Sequence, residues 1–414
     1  MDQALIILGV CLVAGFYMAW SIGANDVANA MGTSVGSHAL TIGQAIAVAA
    51  VFEFLGAFLV GGQVTNTIKQ EIVDPMMFAG DPIGFAGGMT AALLATAVWL
   101  QFASAKGLPV STTHSIVGAV VGFGVVTGGR DAVKWDALSG IVLSWFISPL
   151  LGGILAFATF FIIRKYILDS KDPLLMTKKI GPYMLFVVVA ATSFLFFDKS
   201  LSGLKWIYRE ELAFLLTISF SLILVLVTTM LLLRGKVEPI DRDANLAHVE
   251  RIFAWFQIVT ACFMALAHGS NDVSNAIGPV AAVVSIVKDG YMTSSAEVPL
   301  WLLGLGGVGI VVGLATYGRK VIETIGTSIT EITPTRGFAA EFGASFTILV
   351  GSSFGLPLST TQVLVGAVIG IGLARGISGL NIVVIKRIMG SWIITIPTTA
   401  CVSGGLSYIW QLVR

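Results

Sequence analysis

The octet GANDVANA, residues 23–30, places an aspartate between two asparagines near the end of an apolar run that begins at residue 4. Nearly the same octet, GSNDVSNA, returns at residues 269–276. Seven of the ten positions that start at the first glycine of each octet are identical. A charged side chain within hydrocarbon is costly and is found mainly at functional positions. Its duplication indicates a repeated unit whose two aspartates share one task.

The composition around these octets defines the class of fold. Of 414 residues, 56% are hydrophobic and only 11% are charged, so the chain cannot cover its apolar surface in water. Long apolar stretches recur along the whole chain, and many of their seams carry small residues. This pattern suits closely packed transmembrane helices better than barrel strands. We therefore predict an all-α polytopic membrane protein.

Several classes of function are disfavoured by the same composition. The net charge is +1, so no basic field points to nucleic acid as a partner. The four histidines and three cysteines show no zinc or haem spacing, and we expect no cofactor. No His-Asp-Ser arrangement or metal-ligand cluster is evident, so we do not expect an enzyme.

Twelve apolar spans are predicted. Their approximate bounds are 4–35, 41–62, 83–104, 108–127, 137–163, 182–198, 211–233, 251–286, 298–317, 337–351, 357–373 and 388–411. The Lys and Arg residues then fall in connecting segments or at span ends, as the cost of burying a cation in hydrocarbon requires. Cytoplasmic segments carry an excess of basic residues. A roughly two-to-one bias therefore predicts both termini on the outer side of the cell membrane, whether plasma or inner membrane.

A second duplicated motif supports an internal repeat. GLPVSTTHSIVG (107–118) and GLPLSTTQVLVG (355–366) are identical at eight of twelve positions. Counted from the aspartate of the octet to the serine of the motif, the spacing is 85 residues in the first copy and 87 in the second. Seven spans separate the copies, and an odd number means that the second copy enters the membrane from the opposite side. Inverted repeats are a construction typical of secondary transporters.

The repeat also predicts the organisation of the chain. We expect a first inverted repeat at 1–165, connecting and scaffold spans at 166–249, and a second inverted repeat at 250–414. The first span is too long to be simple, because 32 residues of helix measure about 50 Å against a hydrocarbon core of about 30 Å. We therefore predict a break at Gly23 and another at Gly269.

Four short spans form two pairs joined by the near-identical turns. The pairs are 83–104 with 108–127, and 337–351 with 357–373. Each pair is either two crossings or a re-entrant hairpin, and both alternatives leave the parity of the topology unchanged.

Away from the span ends, only four acidic residues fall within predicted spans: Asp26, Glu53, Asp272 and Glu341. No Lys or Arg lies within a span to pair with them. A buried carboxylate without a partner stays protonated or binds a cation, since the unpaired charge costs several kcal/mol. These residues therefore indicate bound cations or protons. The alternative is a carboxyl that packing hydrogen bonds keep neutral.

The asparagines of the octets add oxygen ligands beside the aspartates. The first and second asparagines of each octet lie four residues apart, on one helical face. Hard oxygen donors without Cys or His suit Na⁺, or a proton on the aspartate, better than a transition metal. The predicted sodium ligands are Asn25, Asp26, Asn29, Asn271, Asp272, Asn275, Glu53 and Glu341. The alternative for the octets is an Asx cap that opens a helix.

The Ser-Thr-Thr triplets predict an anion site. Each triplet follows Leu-Pro-x, and a new helix is expected to begin after the proline. Three hydroxyls and the free N–H groups of a helix N-terminus then meet at one point, where the helix dipole adds partial positive charge. Two such tips from opposite sides would enclose a tetrahedral oxyanion. The alternative is that these hydroxyls only cap their helices.

Two histidines are ambiguous. His268 precedes the second octet where Ile22 precedes the first, and His114 follows the first triplet where Gln362 follows the second. A proton relay would use such positions, but the asymmetry favours a structural, hydrogen-bonded role.

The four motif blocks resemble the paired signatures of the inorganic phosphate transporter (PiT) family of sodium- or proton-coupled phosphate symporters. The resemblance covers roughly 5–165 and 250–411, and it implies twelve spans, inverted repeats and ion-driven phosphate uptake. It places phosphate against the two triplets and the two aspartates. These residues are Ser111, Thr112, Thr113, Ser359, Thr360, Thr361, Asp26 and Asp272. It also implies roles in transport for Glu53 and Glu341. Ile22 departs from the family, whose first signature often begins with histidine.

We expect sodium-driven uptake of inorganic phosphate by a secondary active symporter, with sodium ions and membrane lipid as further partners. A homodimer through the scaffold spans is expected. Proton coupling is the first alternative, because both forms of coupling occur in the family. The second alternative is a cation transporter whose carboxylates are the substrate site, although it leaves the paired triplets without a purpose.

Overall fold

The computed structural model describes residues 3–106, 110–202, 210–233, 241–289, 298–318, 332–376 and 382–414. Within these ranges the chain forms thirteen α-helices and no β-strand, apart from one isolated bridge between Val73 and Val133. The prediction of an all-α fold is confirmed.

The helices follow the apolar spans of the sequence. They are α1 (Gln3–Gly36), α2 (Ile42–Val60), α3 (Gly62–Gln70), α4 (Pro82–Ala105), α5 (Thr112–Gly128), α6 (Trp135–Ile163), α7 (Pro173–Ser202), α8 (Glu210–Leu233), α9 (Arg242–Asp289), α10 (Leu300–Gly313), α11 (Pro334–Ser353), α12 (Thr360–Arg375) and α13 (Ile382–Val413). Each predicted span coincides with one helix. Nine helices in the described ranges are long and apolar enough to cross a membrane, while α5 and α12 are shorter apolar helices.

The short helix α3 was not predicted. Its sequence GQVTNTIKQ is polar and only nine residues long, so it falls below the length of a membrane span. It packs against α9 and buries Ile68 and also Lys69. The predicted connector between the second and third spans is therefore part of the packed interior.

The predicted breaks at Gly23 and Gly269 are wrong. α1 is one continuous helix of 34 residues, and α9 is one of 48 residues. A Cβ atom added at Gly23 would overlap the backbone carbonyl of Ile310 on α10, and one at Gly269 would overlap that of Glu53 on α2. Small residues allow helix backbones to approach closely in a membrane. The two glycines therefore serve helix packing, and the excess length of α1 and α9 is carried without a break.

The packing places α1 and α9 at the centre. α1 packs against α9, α4 and α10, while α9 also packs against α2 and α11. One helix of each half packs on the other half of the chain. α6 packs on α11 and α12, and α13 packs on α4 and α5. α8 packs mainly on α7, and α7 also packs on α9 and α11. The N-termini of α5 and α12 are thereby brought toward the middle of α1 and α9.

Candidate functional site

The candidate site is built where α1 and α9 pack together. Asp26 on α1 and Asp272 on α9 are each 1% exposed. One carboxylate oxygen of each aspartate and one ring nitrogen of His268 all lie within 4.8 Å of one another. The two octets, which are 246 residues apart in sequence from aspartate to aspartate, therefore contribute to one buried cluster. These three side chains could together hold a cation.

The two Ser-Thr-Thr triplets form the N-termini of α5 and α12, as predicted. The Ser111 hydroxyl caps α5 by accepting from the backbone N–H of His114 at 3.2 Å. The Ser359 hydroxyl caps α12 by accepting from the backbone N–H of Gln362 at 3.3 Å. The capping alternative therefore holds for the two serines. Each capping hydroxyl keeps its own hydrogen free to donate.

The first threonine of each triplet donates to the aspartate of its own half. The Thr112 hydroxyl donates to Asp26 Oδ2, and the Thr360 hydroxyl donates to Asp272 Oδ2 at 3.0 Å. All six hydroxyl residues of the triplets are buried. The structure thus brings the predicted anion donors and the predicted cation ligands together, with the octet and the triplet of each half in direct contact.

The second threonine of the first triplet reaches across to the other half of the chain. The Thr113 hydroxyl donates to the carbonyl oxygen of Leu358 at 2.8 Å and accepts from the Asn275 amide at 3.3 Å. Thr361, its counterpart, is buried in the first turn of α12. The tip of α5 is therefore tied to α9 and to the segment that leads into α12.

The four asparagines of the octets have different surroundings. The Asn271 amide donates to Leu358 O and to Asp272 Oδ1, both at 2.8 Å, and Asn271 Oδ1 accepts from the Leu358 amide at 3.2 Å. The Asn25 amide instead donates to Ser104 Oγ near the end of α4. The hydrogen bonds that Asn25 makes to described residues therefore go to α4 and not to Asp26, beside which we expected this side chain as a sodium ligand. The side chain of Asn29 lies outside the described residues, as does the turn at 107–109.

Glu53 joins the cluster through His268. His268 Nδ1 lies 2.9 Å from Glu53 Oε2, and His268 Nε2 lies 2.8 Å from Asp272 Oδ2. Sequence reasoning favoured a structural, hydrogen-bonded role for His268 over a proton relay. The signal was present, because His268 and Asp272 are four residues apart and so share a helical face. The partner on α2 could not be read from that spacing.

Glu341 lies in a separate polar nest. Its Oε1 atom accepts from Thr33 at 2.8 Å, Ser34 at 2.5 Å and the Gln257 amide at 3.0 Å, and Oε2 accepts from Thr260 at 2.7 Å. None of these residues belongs to an octet or a triplet. Four neutral donors are the partners that a buried carboxyl group requires. The structure therefore does not bring Glu341 together with the two aspartates.

Comparisons with known proteins show the family of the chain. The model of the "Phosphate transporter family" matches residues 22–403. A protein of Haemophilus influenzae named "Putative phosphate permease" is 44% identical over 392 residues, covering 94% of this chain and 93% of its own length. A protein of the same description from Pyrococcus abyssi is 45% identical and covers 95% of both chains.

A solved structure has the same fold. It is titled "The sodium-dependent phosphate transporter", is 40% identical in sequence and superposes with a TM-score of 0.92. The alignment covers 99% of this chain and 100% of that one. Fold and comparisons together define a multi-pass membrane transporter. The chain belongs to the phosphate transporter family, and the resemblance inferred from the motifs is confirmed.

Proposed function

We propose that this chain is a secondary active symporter that takes up inorganic phosphate, driven by a sodium gradient. The observation that carries the proposal is the meeting of Asp26 and Asp272 with the hydroxyl-bearing N-termini of α5 and α12 in one buried cluster. A transporter of this kind binds and releases its substrates unchanged, so we propose no catalytic residue and no cofactor.

The anion is held by the two helix tips. Serine and threonine hydroxyls and the backbone N–H groups of the first turns donate hydrogen bonds, and both helix dipoles present their positive ends. The tips supply this field without a Lys or Arg in either triplet. A tetrahedral oxyanion such as orthophosphate can accept from both tips at once. The proposed phosphate site is made of Ser111, Thr112, Thr113, Ser359, Thr360 and Thr361, beside the two aspartates.

The carboxylates require cations when phosphate binds. His268 lies between the carboxylates of Glu53 and Asp272, and when both are ionised its single imidazole can offset at most one of their two negative charges. Asp26 adds a further negative charge when ionised. A phosphate dianion placed beside them would be strongly repelled unless cations bind first. Sodium ions at the octets would offset this charge, so each substrate strengthens binding of the other.

The sodium ligands are proposed from the oxygen atoms that the octets and their neighbours offer. The carboxylates of Asp26 and Asp272 are the central pair, with Asn271 hydrogen-bonded to Asp272 and Asn275 hydrogen-bonded to Thr113. Glu53 is connected to the pair through His268. For Asn25, Asn29 and Glu341 the proposal rests on the sequence motifs, and Glu341 would form a sodium site of its own.

Access to the site requires movement, because the described candidate side chains are buried. We propose that residues 1–165 and 250–414 are inverted repeats that together form the moving core. Residues 166–249, with α7 and α8, would form a scaffold through which two copies associate. Both termini would face outward from the cell membrane. Reaction of an introduced N-terminal cysteine with a membrane-impermeant reagent in intact cells tests the orientation.

Proton coupling is the second candidate, and one observation favours it. Glu53, His268 and Asp272 form a continuous buried chain of titratable groups, and such a chain can carry protons. Uptake of radiolabelled phosphate into proteoliposomes separates the two candidates. A sodium gradient at constant pH is expected to drive accumulation. Accumulation under a pH gradient without sodium, and none under the sodium gradient, would overturn the sodium proposal.

A cation transporter remains the third alternative from the sequence. Its signature would be sodium flux through the proteoliposomes that is equal with and without phosphate. We expect instead that sodium flux requires phosphate, because the two helix tips are part of the same cluster as the carboxylates.

A further inference from the structure

His114 and Gln362 occupy matching places in the two halves of the chain. Each is the third residue of its helix, and each amide donates to the serine that caps the helix. The side chains are 3% and 7% exposed. The His114 ring lies against the Gln362 side chain and the backbone of Trp392 on α13. The N-termini of α5 and α12, here called the two tips, are therefore in contact through the side chains of His114 and Gln362.

A tryptophan on α6 connects the same two tips. Its indole packs on the His114 ring with a centroid distance of 3.9 Å. The Nε1 atom of this residue, Trp145, donates to the carbonyl oxygen of Pro357 at 3.1 Å, in the segment that leads into α12. Trp145 thus contacts the first tip with its ring face and the second tip with its N–H group.

The two tryptophans belong to a third duplicated segment. Trp145 lies in SWFIS (144–148) on α6 and Trp392 in SWIIT (391–395) on α13. The octets and triplets do not account for this repeat. Its presence at the meeting point of the tips indicates that both halves build the same support.

The polar atoms at this point have incomplete hydrogen bonding. Both ring nitrogens of His114, Oε1 of Gln362 and Nε1 of Trp392 are buried and make no well-aligned hydrogen bond to any described residue, although the His114 ring lies within interaction range of Gln362 and the Trp392 backbone. Buried polar groups are nearly always paired, and leaving them unpaired is costly. These side chains already touch one another, so a small movement of the two helix N-termini would let their polar atoms form hydrogen bonds.

We infer that His114 and Gln362 are positioning residues that hydrogen-bond to each other when the two tips close around the anion. The inference rests on the proposed function, because the anion is phosphate bound by the threonines of the tips. When the tips close, the imidazole N–H donates to Gln362 Oε1. This hydrogen bond contributes to the binding free energy of phosphate, although neither residue contacts phosphate. These residues therefore act through the tips and not on the substrate.

The test compares phosphate binding and sodium binding to purified full-length protein, by equilibrium binding of radiolabelled phosphate in sodium and by calorimetry with sodium alone. H114F fills the site without a hydrogen-bonding group. The exchange variant H114Q/Q362H restores a donor and an acceptor, with the histidine moved to α12 and the glutamine to α5. Ser148→Ala is the matched control, because Ser148 Oγ on α6 is also buried and unpaired but belongs to neither tip.

We expect H114F to weaken phosphate binding about ten- to hundredfold. Sodium binding in the absence of phosphate should stay within about twofold of wild type. The exchange variant should recover most of the phosphate affinity, and Ser148→Ala should leave both affinities unchanged.

Phosphate affinity of H114F within about twofold of wild type would overturn the inference. So would equal loss of sodium and phosphate binding in H114F, or failure of the exchange variant to exceed H114F. A wild-type protein that binds sodium but no phosphate would instead overturn the proposed function, and the inference with it.

Discussion

The two octets share their sequence but not their surroundings. In the second octet, Asn271 binds the Leu358 backbone in both directions and Asp272 is linked through His268 to Glu53. In the first octet, Asn25 donates toward the end of α4, and the place of the histidine is taken by Ile22. Duplication therefore supplies two similar carboxylates to one cluster, and each accepts from the first threonine of its own triplet. The second half adds a histidine that lies between Asp272 and Glu53, whereas Ile22 stands at that place in the first half.

The largest effect is expected from removing either central charge. Asp26→Asn and Asp272→Asn should each reduce sodium-driven phosphate uptake at least about 100-fold, which corresponds to about 2.7 kcal/mol. Both carboxylates are needed because they face one another across the two halves of the chain. Uptake of radiolabelled phosphate into proteoliposomes measures the loss. Normal uptake by either variant would contradict the role assigned to that aspartate.

The second prediction makes the second half resemble the first. His268→Ile copies the residue at Ile22 and leaves Glu53 buried without its partner. Breaking a buried pair on one side costs about 3 to 5 kcal/mol, so we expect strong destabilisation and loss of uptake. Adding Glu53→Gln should recover part of the thermal stability, since a neutral amide is less costly to bury. Ile22→Val is the matched control and should cost about 1 kcal/mol. Thermal unfolding in detergent compares the stability of the wild type, the two His268→Ile variants and the Ile22→Val control.

The third prediction compares the first asparagines of the octets. Asn271→Ala removes two bonds to the Leu358 backbone and one to Asp272, so the approach to α12 loses its anchor. We expect phosphate affinity to fall about tenfold or more, as for loss of buried hydrogen bonds worth about 1.5 kcal/mol. Among the described residues, the hydrogen bonds that Asn25→Ala loses all go to α4, so we expect a smaller fall in phosphate affinity. Equal effects in binding measurements would show that the two asparagines have equivalent roles.

The smallest effect is expected at the exposed end of α4. A bidentate contact with Arg414 lowers the pKa of Asp81, and the Gly84 amide lowers it further. Because the folded protein favours the carboxylate, the stabilisation is present above the ordinary pKa of about 3.9 and is lost as the pH falls through the lowered value. Exposed pairs contribute at most about 1 kcal/mol. Asp81→Asn should therefore lower the thermal unfolding temperature slightly at pH 7 and by less at pH 3. An equal shift at both pH values would contradict the ionic origin.

Much of the fold could be predicted because hydropathy and length determine where helices form in a membrane. The excess length of α1 and α9 was visible, but its explanation was not. A glycine permits either a break or a close helix contact, and only the positions of Ile310 and Glu53 decide between them. The polar helix α3 was missed for a similar reason, since its burial depends on its packing against α9.

The candidate site was predicted in part. The family resemblance implied that the aspartates and the triplets share one site, but the hydrogen bond from the first threonine of each triplet to the aspartate of its own half was not predicted. The direction of Asn25 and the distance of Glu341 from the aspartates depend on how the helices cross, which a single sequence does not contain. His268 shows the same limit, because its partner Glu53 is 215 residues away in sequence.

The central claim is that phosphate and sodium bind one cluster and strengthen each other. Its most direct test is the dissociation constant of phosphate for the purified protein, measured at constant pH and ionic strength while sodium replaces choline. Phosphate affinity should rise steeply with sodium in the wild type, and this dependence should disappear in Asp272→Asn. A phosphate affinity that is the same with and without sodium would contradict the claim.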